Sequence, residues 1–186
     1  MDIITYLNQQ LPLPEGVNET LNSLFKKEQH PKGKILLMPE NRSQNLTFIE
    51  SGLLRLYYEK DGKDITFLFF DENSFSMPIE SIIYNKQSPY GCQVLEDCTI
   101  RSIAYKDFEI LLEKTPELER IARKVLFENL RKISDKLYAL QFQTAEQRYQ
   151  YMMESYRNIL LRAPLGHIAS YLGITQQTLS VIRAKK

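Results

Sequence analysis

The sequence predicts an α+β fold: an N-terminal antiparallel β-roll, a long helix and a C-terminal pair of helices joined by a tight turn. Residues 34–104 alternate between short apolar or β-branched runs and turn residues, a spacing typical of antiparallel rolls and sandwiches. Residues 117–142 carry the longest helical periodicity. Residues 165–183 place a small residue and then a glycine where two helices would meet. We therefore divide the chain into 1–116, 117–142 and 143–186.

The β-roll is predicted from six strand-like runs. Asp61-Gly62 separates two of them and is the strongest hairpin signal, because both residues tolerate the positive φ values of a type I′ turn. Asp107 is expected to cap a short helix that ends before Thr115-Pro116, and short helices are expected within residues 5–27. The predicted strands are 35–37, 46–49, 53–58, 65–70, 93–95 and 99–104.

Composition excludes several classes of protein. The chain is 43% hydrophobic and 25% charged, an ordinary globular composition. Its apolar runs are far shorter than the roughly 20 residues of a membrane span, and no basic and apolar leader follows Met1. Cys92 and Cys98 are six residues apart and have no further ligand nearby, while His30 and His167 are far from each other, so a structural zinc or iron–sulfur site is not expected. We expect a cytoplasmic protein with no metal, no cofactor and no membrane partner.

Charge is distributed unevenly along the chain. The formal net charge is +1, yet residues 1–115 carry 12 basic and 17 acidic side chains, whereas residues 116–186 carry 12 basic and 6 acidic ones. The two parts therefore differ in net charge, at −5 and +6. Such an asymmetry indicates that the C-terminal part faces a polyanion.

The predicted long helix has an apolar seam with 4-3-4-3 spacing, which is typical of a parallel dimerisation helix. A helix packed on its own β-roll is the alternative. Upstream apolar residues from Leu118 to Val125 follow a shifted phase, so we expect the upstream face on the roll and the downstream seam on a partner. The seam, and with it the predicted dimer interface, consists of Leu126, Leu130, Ile133, Leu137 and Leu140.

The C-terminal unit begins with a capping box, Thr144 at the N-cap and Gln147 at N3. Further on, Ile168, Ala169 and Leu172 would form the inner face of one helix, and Gly173 would allow a sharp turn. Thr175 would cap a second helix. The inner residues of that second helix are predicted to be Thr178, Leu179 and Ile182. This pattern predicts a helix-turn-helix rather than a generic αα-hairpin.

The outer face of the second helix carries residue types that read DNA. Glutamine bonds adenine, serine bonds several base edges, and valine contacts the thymine methyl group, while a capped helix N-terminus suits a phosphate. Arg162, just before the motif, is expected to add positive charge. The predicted DNA-binding residues are Thr175, Gln176, Gln177, Ser180, Val181, Arg183 and Lys185.

With these motifs the sequence resembles the Crp/Fnr family of bacterial transcription regulators. The similarity lies in residues 144–149, 162–165 and 168–175, which look especially like the short branch common in Bacteroidetes. It implies a jelly roll of the cyclic-nucleotide-binding type, a homodimer and a two-fold-symmetric DNA operator, with RNA polymerase as a further candidate partner.

The resemblance fails at the residues that hold a cyclic nucleotide. Family members that bind one use a Glu for the ribose and an Arg for the cyclic phosphate. Here Met77 stands at the position of the Glu, Glu80 comes three residues later, and Tyr90 is the nearest match for the Arg. We therefore expect no cyclic AMP bound in the usual manner, and an unidentified small molecule or none. The predicted effector pocket is Phe75, Ser76, Met77, Glu80, Tyr90, Gly91 and Cys92.

A second departure concerns DNA binding. The family usually has Arg where Val181 stands, and only three residues follow Arg183, so the β-wing of longer relatives is either absent or has been removed from this sequence. We expect weaker or A·T-biased recognition. The alternative is a small-molecule sensor or interaction module whose DNA binding is weakened or lost. An enzyme is disfavoured, because the sequence contains no nucleophile–base constellation or phosphate-binding loop.

Overall fold

A computed structural model describes residues 1–184 of the chain and confirms the predicted α+β fold. Within these residues the helices are α1 (Ile3–Gln10), α2 (Val17–Leu24), α3 (Ile79–Tyr84), α4 (Tyr105–Lys114), α5 (Pro116–Phe142), α6 (Ala145–Ser155), α7 (Arg157–Arg162), α8 (Leu165–Tyr171) and α9 (Gln176–Ala184). The strands are β1 (Lys26–His30), β2 (Ile35–Leu37), β3 (Asn45–Ser51), β4 (Leu54–Lys60), β5 (Lys63–Phe70), β6 (Phe75–Ser76), β7 (Gly91–Val94) and β8 (Cys98–Ala104).

The strands form two antiparallel sheets, ordered β1-β8-β3-β6 and β2-β7-β4-β5. Apolar side chains from both sheets form a buried cluster that includes Ile49, Leu54 and Val94. The predicted hairpin is present between β4 and β5, where Asp61 and Gly62 have φ values of 53° and 70°. These values match the turn that Asp-Gly favours.

Helices α1, α2 and α4 and the start of α5 cover one of the two sheets. Ile3 of α1 and Leu21 of α2 are fully buried there, together with Phe108 of α4. Leu118 and Ile121 of α5 join the same cluster, at 1% and 3% exposure. The prediction that the upstream face of the long helix packs on the roll is therefore confirmed.

Two local predictions were wrong. The β region begins with β1, eight residues before Lys34. This polar strand pairs only with β8 and so lies at a sheet edge. An edge strand with exposed polar side chains has no alternating apolar pattern to reveal it. The helix assigned to an Asp107 cap begins at Tyr105, directly after β8, so that Asp107 lies in its first turn.

Four helices, α6 to α9, form the C-terminal unit. The predicted capping box is present, since Gln147 N–H donates to Thr144 Oγ1 and Thr144 N–H donates to Gln147 Oε1. Met152, Ile168 and Leu179 lie at the centre of its core. That core also includes two buried residues of the roll, Leu53 and Leu95, so the C-terminal unit packs directly against the roll.

Candidate functional site

Helices α8 and α9 are joined by a four-residue turn whose geometry depends on Gly173. This residue has a φ of +68°, a left-handed conformation that side chains with a Cβ rarely adopt. A Cβ at this position would lie 3.1 Å from Leu140 Cδ2. Ile168, Ala169 and Leu172 are buried as predicted, and Ile174 N–H donates to Ala169 O at 3.0 Å.

The start of α9 is capped as predicted. Thr175 Oγ1 accepts the Thr178 N–H at 3.1 Å and lies 2.9 Å from the Thr178 hydroxyl. Leu179 and Ile182 are buried, whereas Thr178 is exposed. The prediction that Thr178 faces inward was wrong, because its hydroxyl belongs to the cap and stays at the surface.

The other predicted reading residues lie on the outer face of α9. Gln177 and Arg183 are exposed, and Val181 is 54% exposed. The amide of Gln176 covers Gly166 of α8, since a Cβ on that glycine would meet its Nε2. Ser180 Oγ donates to Gln176 O at 3.0 Å. Lys185 lies outside the described residues.

Arg148 of α6 supports the turn, a role that sequence reasoning missed. Its Nε donates to Leu172 O at 2.8 Å, and its Nη1 donates to Gln143 O at 2.6 Å. One guanidinium therefore satisfies the end of α8 and the end of α5 together. The acceptors are backbone carbonyls, which carry no sequence signal.

The prediction that Arg162 adds positive charge beside the helix-turn-helix was wrong, because two carboxylates bind its guanidinium. Its guanidinium donates to both carboxylate oxygens of Glu72, at 2.9 and 2.8 Å, and it also bonds Glu96. Burial alone would raise the pKa of Glu72, but hydrogen bonds from Arg162 and from the Gly52 N–H lower it to about 2. This ion pair fastens α7 to the roll, because both carboxylates belong to roll loops.

A second charged cluster lies in the roll next to α8. Arg55 is 2% exposed and donates to Gln93 and to both oxygens of Asp64. His167 of α8 lies with its Nδ1 3.9 Å from Asp64 Oδ1. Burial, and then the Arg55 charge, lower the pKa of His167, although the Asp64 charge raises it. Arg55 therefore bonds within its own sheet and positions Asp64 beside α8, and it is not among the residues that line the roll cavity.

A cavity of about 950 Å³ lies between the two sheets and opens along α5. Most of its lining is apolar and includes Leu56, Phe67 and Leu130. The predicted pocket residues found in this lining are Phe75, Ser76, Met77, Glu80, Tyr90 and Cys92. Gly91 is not among these lining residues, and its backbone lies against the Tyr57 ring, which a Cβ would meet at 2.5 Å.

The described lining of the cavity contains no arginine from the roll. The cations that reach it are Lys34 of the β1–β2 loop, and Arg123 and Lys132 of α5. Burial raises the pKa of the Cys92 thiol to about 12, so this group is neutral at physiological pH. The interior of the roll therefore suits an apolar molecule better than an anion.

The downstream face of α5 remains uncovered by the roll. All five residues of the predicted seam are partly exposed, as is Phe127 beside them. The exposed fractions of the seam residues are 57% for Leu126, 57% for Leu130, 37% for Ile133, 54% for Leu137 and 43% for Leu140. A contiguous apolar strip of this kind is typical of a protein–protein contact.

Within residues 1–184, no helix combines the length and apolarity that crossing a membrane requires. Over the same part of the chain, no three His, Cys, Asp or Glu side chains lie close enough together to ligate a metal ion.

Comparison with known proteins identifies the class of the roll: residues 27–115 match the family model described as a cyclic nucleotide-binding domain. The whole chain has the fold of Crp/Fnr regulators. FixK2 from Bradyrhizobium japonicum superposes with a TM-score of 0.74 at 16% identity, over 87% of this chain and 83% of that one. A CooA mutant from Carboxydothermus hydrogenoformans gives 0.75 at 21% identity, over 100% and 84%.

A third structure is that of CLP from Xanthomonas campestris, described as a c-di-GMP responsive global regulator. It superposes with a TM-score of 0.71 at 16% identity, over 92% of this chain and 91% of that one. At these identities the likeness establishes the fold. A search of curated protein sequences gave no match to the chain. The comparisons thus confirm the cyclic nucleotide-binding domain and the fold that the resemblance implies, while the Bacteroidetes branch stays a prediction.

Proposed function

We propose that this chain is a sequence-specific, double-stranded DNA-binding transcription regulator of the Crp/Fnr type. The observation that carries the proposal is the α8–α9 unit, a helix-turn-helix in which the turn glycine and cap are in place and the outer face of α9 is free. Gln177 and Val181 project from that face and suit an A·T-rich major groove. The N-terminus of α9 at Thr175 suits a phosphate.

The proposed regulator is a homodimer formed along the α5 seam. Five partly exposed apolar residues follow heptad spacing there, and two copies packed along this strip would bury them. A dimer is needed, because two recognition helices about one DNA turn apart read a two-fold-symmetric operator. A shift in packing among the roll, α5 and the C-terminal unit would change the spacing of those helices.

We further propose that cyclic AMP does not gate this protein in the usual manner. Met77 and Tyr90 line the cavity and stand at the positions where the family resemblance implies ribose-binding and phosphate-binding groups, and Arg55 is bound to Asp64 and Gln93. A buried phosphate needs a cation beside it, and the cations of the lining come from a loop and from α5 rather than from the strands of the roll. No catalytic role is proposed for the lining residues. Saturable, stoichiometric binding of cyclic AMP in a calorimetric titration would contradict this part of the proposal.

The alternative is a small-molecule sensor or interaction module with weakened or lost DNA binding. One observation favours it: the guanidinium nearest the motif, Arg162, is bound by Glu72 and Glu96 and is not free to meet phosphate. The exposed, hydrophobic Val181 on α9 also favours this alternative, because it stands where the family usually has an Arg.

The test is site selection from random DNA duplexes, followed by fluorescence anisotropy at several salt concentrations. We expect A·T-rich half-sites in two-fold symmetry and an affinity that falls with salt. Gln177→Ala should weaken binding about 5- to 100-fold, the range for one lost bidentate base contact. Gln9→Ala, at an exposed position in α1, is the matched control. No enriched site and no binding at low salt would favour the sensor instead.

A further inference from the structure

Strand β5 contains a β-bulge at the place where the roll meets the C-terminal unit. Leu56 of β4 pairs with Leu68, but the next residue, Tyr57, pairs with Thr66. Phe67 is therefore the extra residue, and the local ladder is broken. A bulge leaves backbone groups without ladder partners, so other parts of the molecule must satisfy them.

Two other elements supply those partners. The Nζ of Lys136, on α5, donates to Thr66 O at 3.5 Å and also to Phe67 O. The Thr66 N–H donates to Ser170 Oγ of α8 at 3.1 Å, and this hydroxyl in turn donates to His167 O at 3.0 Å. The long helix and the first helix of the reading unit are thus both fastened to the same two roll residues.

Aromatic rings reinforce this junction. Lys136 Nζ lies 4.1 Å from the centre of the Tyr171 ring in α8 and 5.3 Å from that of Phe67. Each ring face attracts the ammonium. Phe69, two residues beyond the bulge, packs on Tyr171 at a centroid distance of 5.3 Å. Burial lowers the pKa of Lys136 to about 8, so the ammonium is held at this junction against a desolvation cost.

The same bulge also forms part of the cavity wall. Phe67 lines the cavity and stacks on Tyr90, another lining residue, with ring centroids 5.0 Å apart and planes inclined by 8°. Tyr58 packs against both rings, at 5.8 and 5.4 Å. A molecule that enters the cavity and contacts Phe67 therefore touches a residue whose backbone Lys136 holds, and one that contacts Tyr90 touches the ring stacked on that residue.

We propose that the Thr66–Phe67 bulge couples occupancy of the roll cavity to the position of the α8–α9 unit, through Lys136 and Ser170. The inference rests on the proposed function and names its regulatory element. A planar apolar molecule, which can replace Tyr90 as the stacking partner of Phe67, is the ligand class that this wall favours. The coupling has a physical basis, because one small element is shared by the cavity, by α5 and by α8.

The coupling is tested without a ligand by a double-mutant cycle, with amide hydrogen exchange as the readout. Tyr90→Ala removes the stacking partner of Phe67 but does not touch α8. We expect exchange to accelerate about 3- to 30-fold, the range of coupling energies between linked sites, both in residues 63–70 and in residues 165–171. In a Lys136→Met background the effect of Tyr90→Ala on residues 165–171 should shrink.

Three controls keep this experiment interpretable. Tyr90→Phe retains the ring and should exchange like the original chain. Tyr84→Ala removes a tyrosine that is 64% exposed on α3 and should leave residues 165–171 unchanged. Lys124→Met makes the same substitution as Lys136→Met at an exposed position of α5. Thermal unfolding of each variant identifies any that fails to fold, and Tyr90→Leu then replaces Tyr90→Ala.

The proposal is overturned if Tyr90→Ala affects residues 63–70 alone, or if its effect and that of Lys136→Met are additive. DNA affinity of the same variants, measured on a selected site, separates this inference from the proposed function. If the variants change exchange in residues 63–70 and 165–171 together but the chain has no DNA affinity, the proposed function is refuted. The coupling through the bulge would still stand.

Discussion

Gly173 shows how much one residue decides in the turn between α8 and α9. Its left-handed φ of +68° directs the chain from the end of α8 into the cap of α9, and its missing side chain leaves room for Leu140. The same position thereby brings the reading unit close to the last turn of α5. Two constraints, conformational and steric, meet at this glycine.

At this scale we predict that Gly173→Ala lowers the free energy of unfolding by about 1–2 kcal/mol, because a left-handed conformation is unfavourable for alanine, with a further loss from the contact with Leu140. Gly16→Ala is the matched control: its φ is +80°, but nothing lies within 4 Å of the added Cβ. Urea denaturation of both variants measures the difference. A Gly173→Ala variant no less stable than Gly16→Ala would show that the Leu140 contact contributes nothing.

The helix α5 serves three purposes along its length. Its first turns are buried on the roll, Lys136 in its second half fastens the bulge of β5, and its seam is exposed. A charge placed in the middle of an apolar seam is costly to bury. The seam is thus the element whose substitution should separate dimer formation from folding.

We predict that Leu130→Glu converts the dimer to a monomer, with a loss in dimer affinity of at least about tenfold, since an unpaired buried charge costs several kcal/mol. Sedimentation velocity over a range of concentrations measures it. Lys124→Glu adds an acidic residue at an exposed position of the same helix and should stay dimeric. A monomeric chain before any substitution would remove the seam from the proposal.

Elements were predictable where their own sequence carries the pattern, and contacts between distant segments were not. The Asp61-Gly62 hairpin, the Thr144 capping box and the α8–α9 turn depend on neighbours within about four residues, and all three are present. Strand β1 lacks an apolar face and was therefore not predicted. The bonds of Arg162 join residues 66 and 90 positions apart, and periodicity carries no information on such pairs.

At the scale of the whole molecule, ion pairs fix how the C-terminal unit sits on the roll. Arg162 of α7 binds Glu72 and Glu96, two acidic residues in loops of the roll. The acidic roll and the basic C-terminal part therefore attract each other within one chain. The charge asymmetry that pointed to DNA also stabilises the docked arrangement, so part of the positive charge is not available to a nucleic acid.

We predict that acid loosens this docking. The pKa of Glu72 falls from 4.5 to about 2 in the docked state, so its contribution is complete above about pH 4.5 and is lost as the pH falls towards 2. Small-angle scattering should show a larger radius of gyration at pH 3 than at pH 7. Arg162→Gln should be expanded already at pH 7, whereas Arg157→Gln, exposed on the same helix, should behave like the original chain.

The bulge of β5 has a consequence for how this protein tolerates mutation. Lys136 and Ser170 bind the carbonyls and the N–H of residues 66 and 67, groups that almost every amino acid possesses. A substitution at position 66 therefore leaves these bonds intact unless the new residue is proline, which has no N–H. Substitutions at positions 136 and 170, on the helices, should therefore disrupt the junction more than substitutions at positions 66 and 67 of β5.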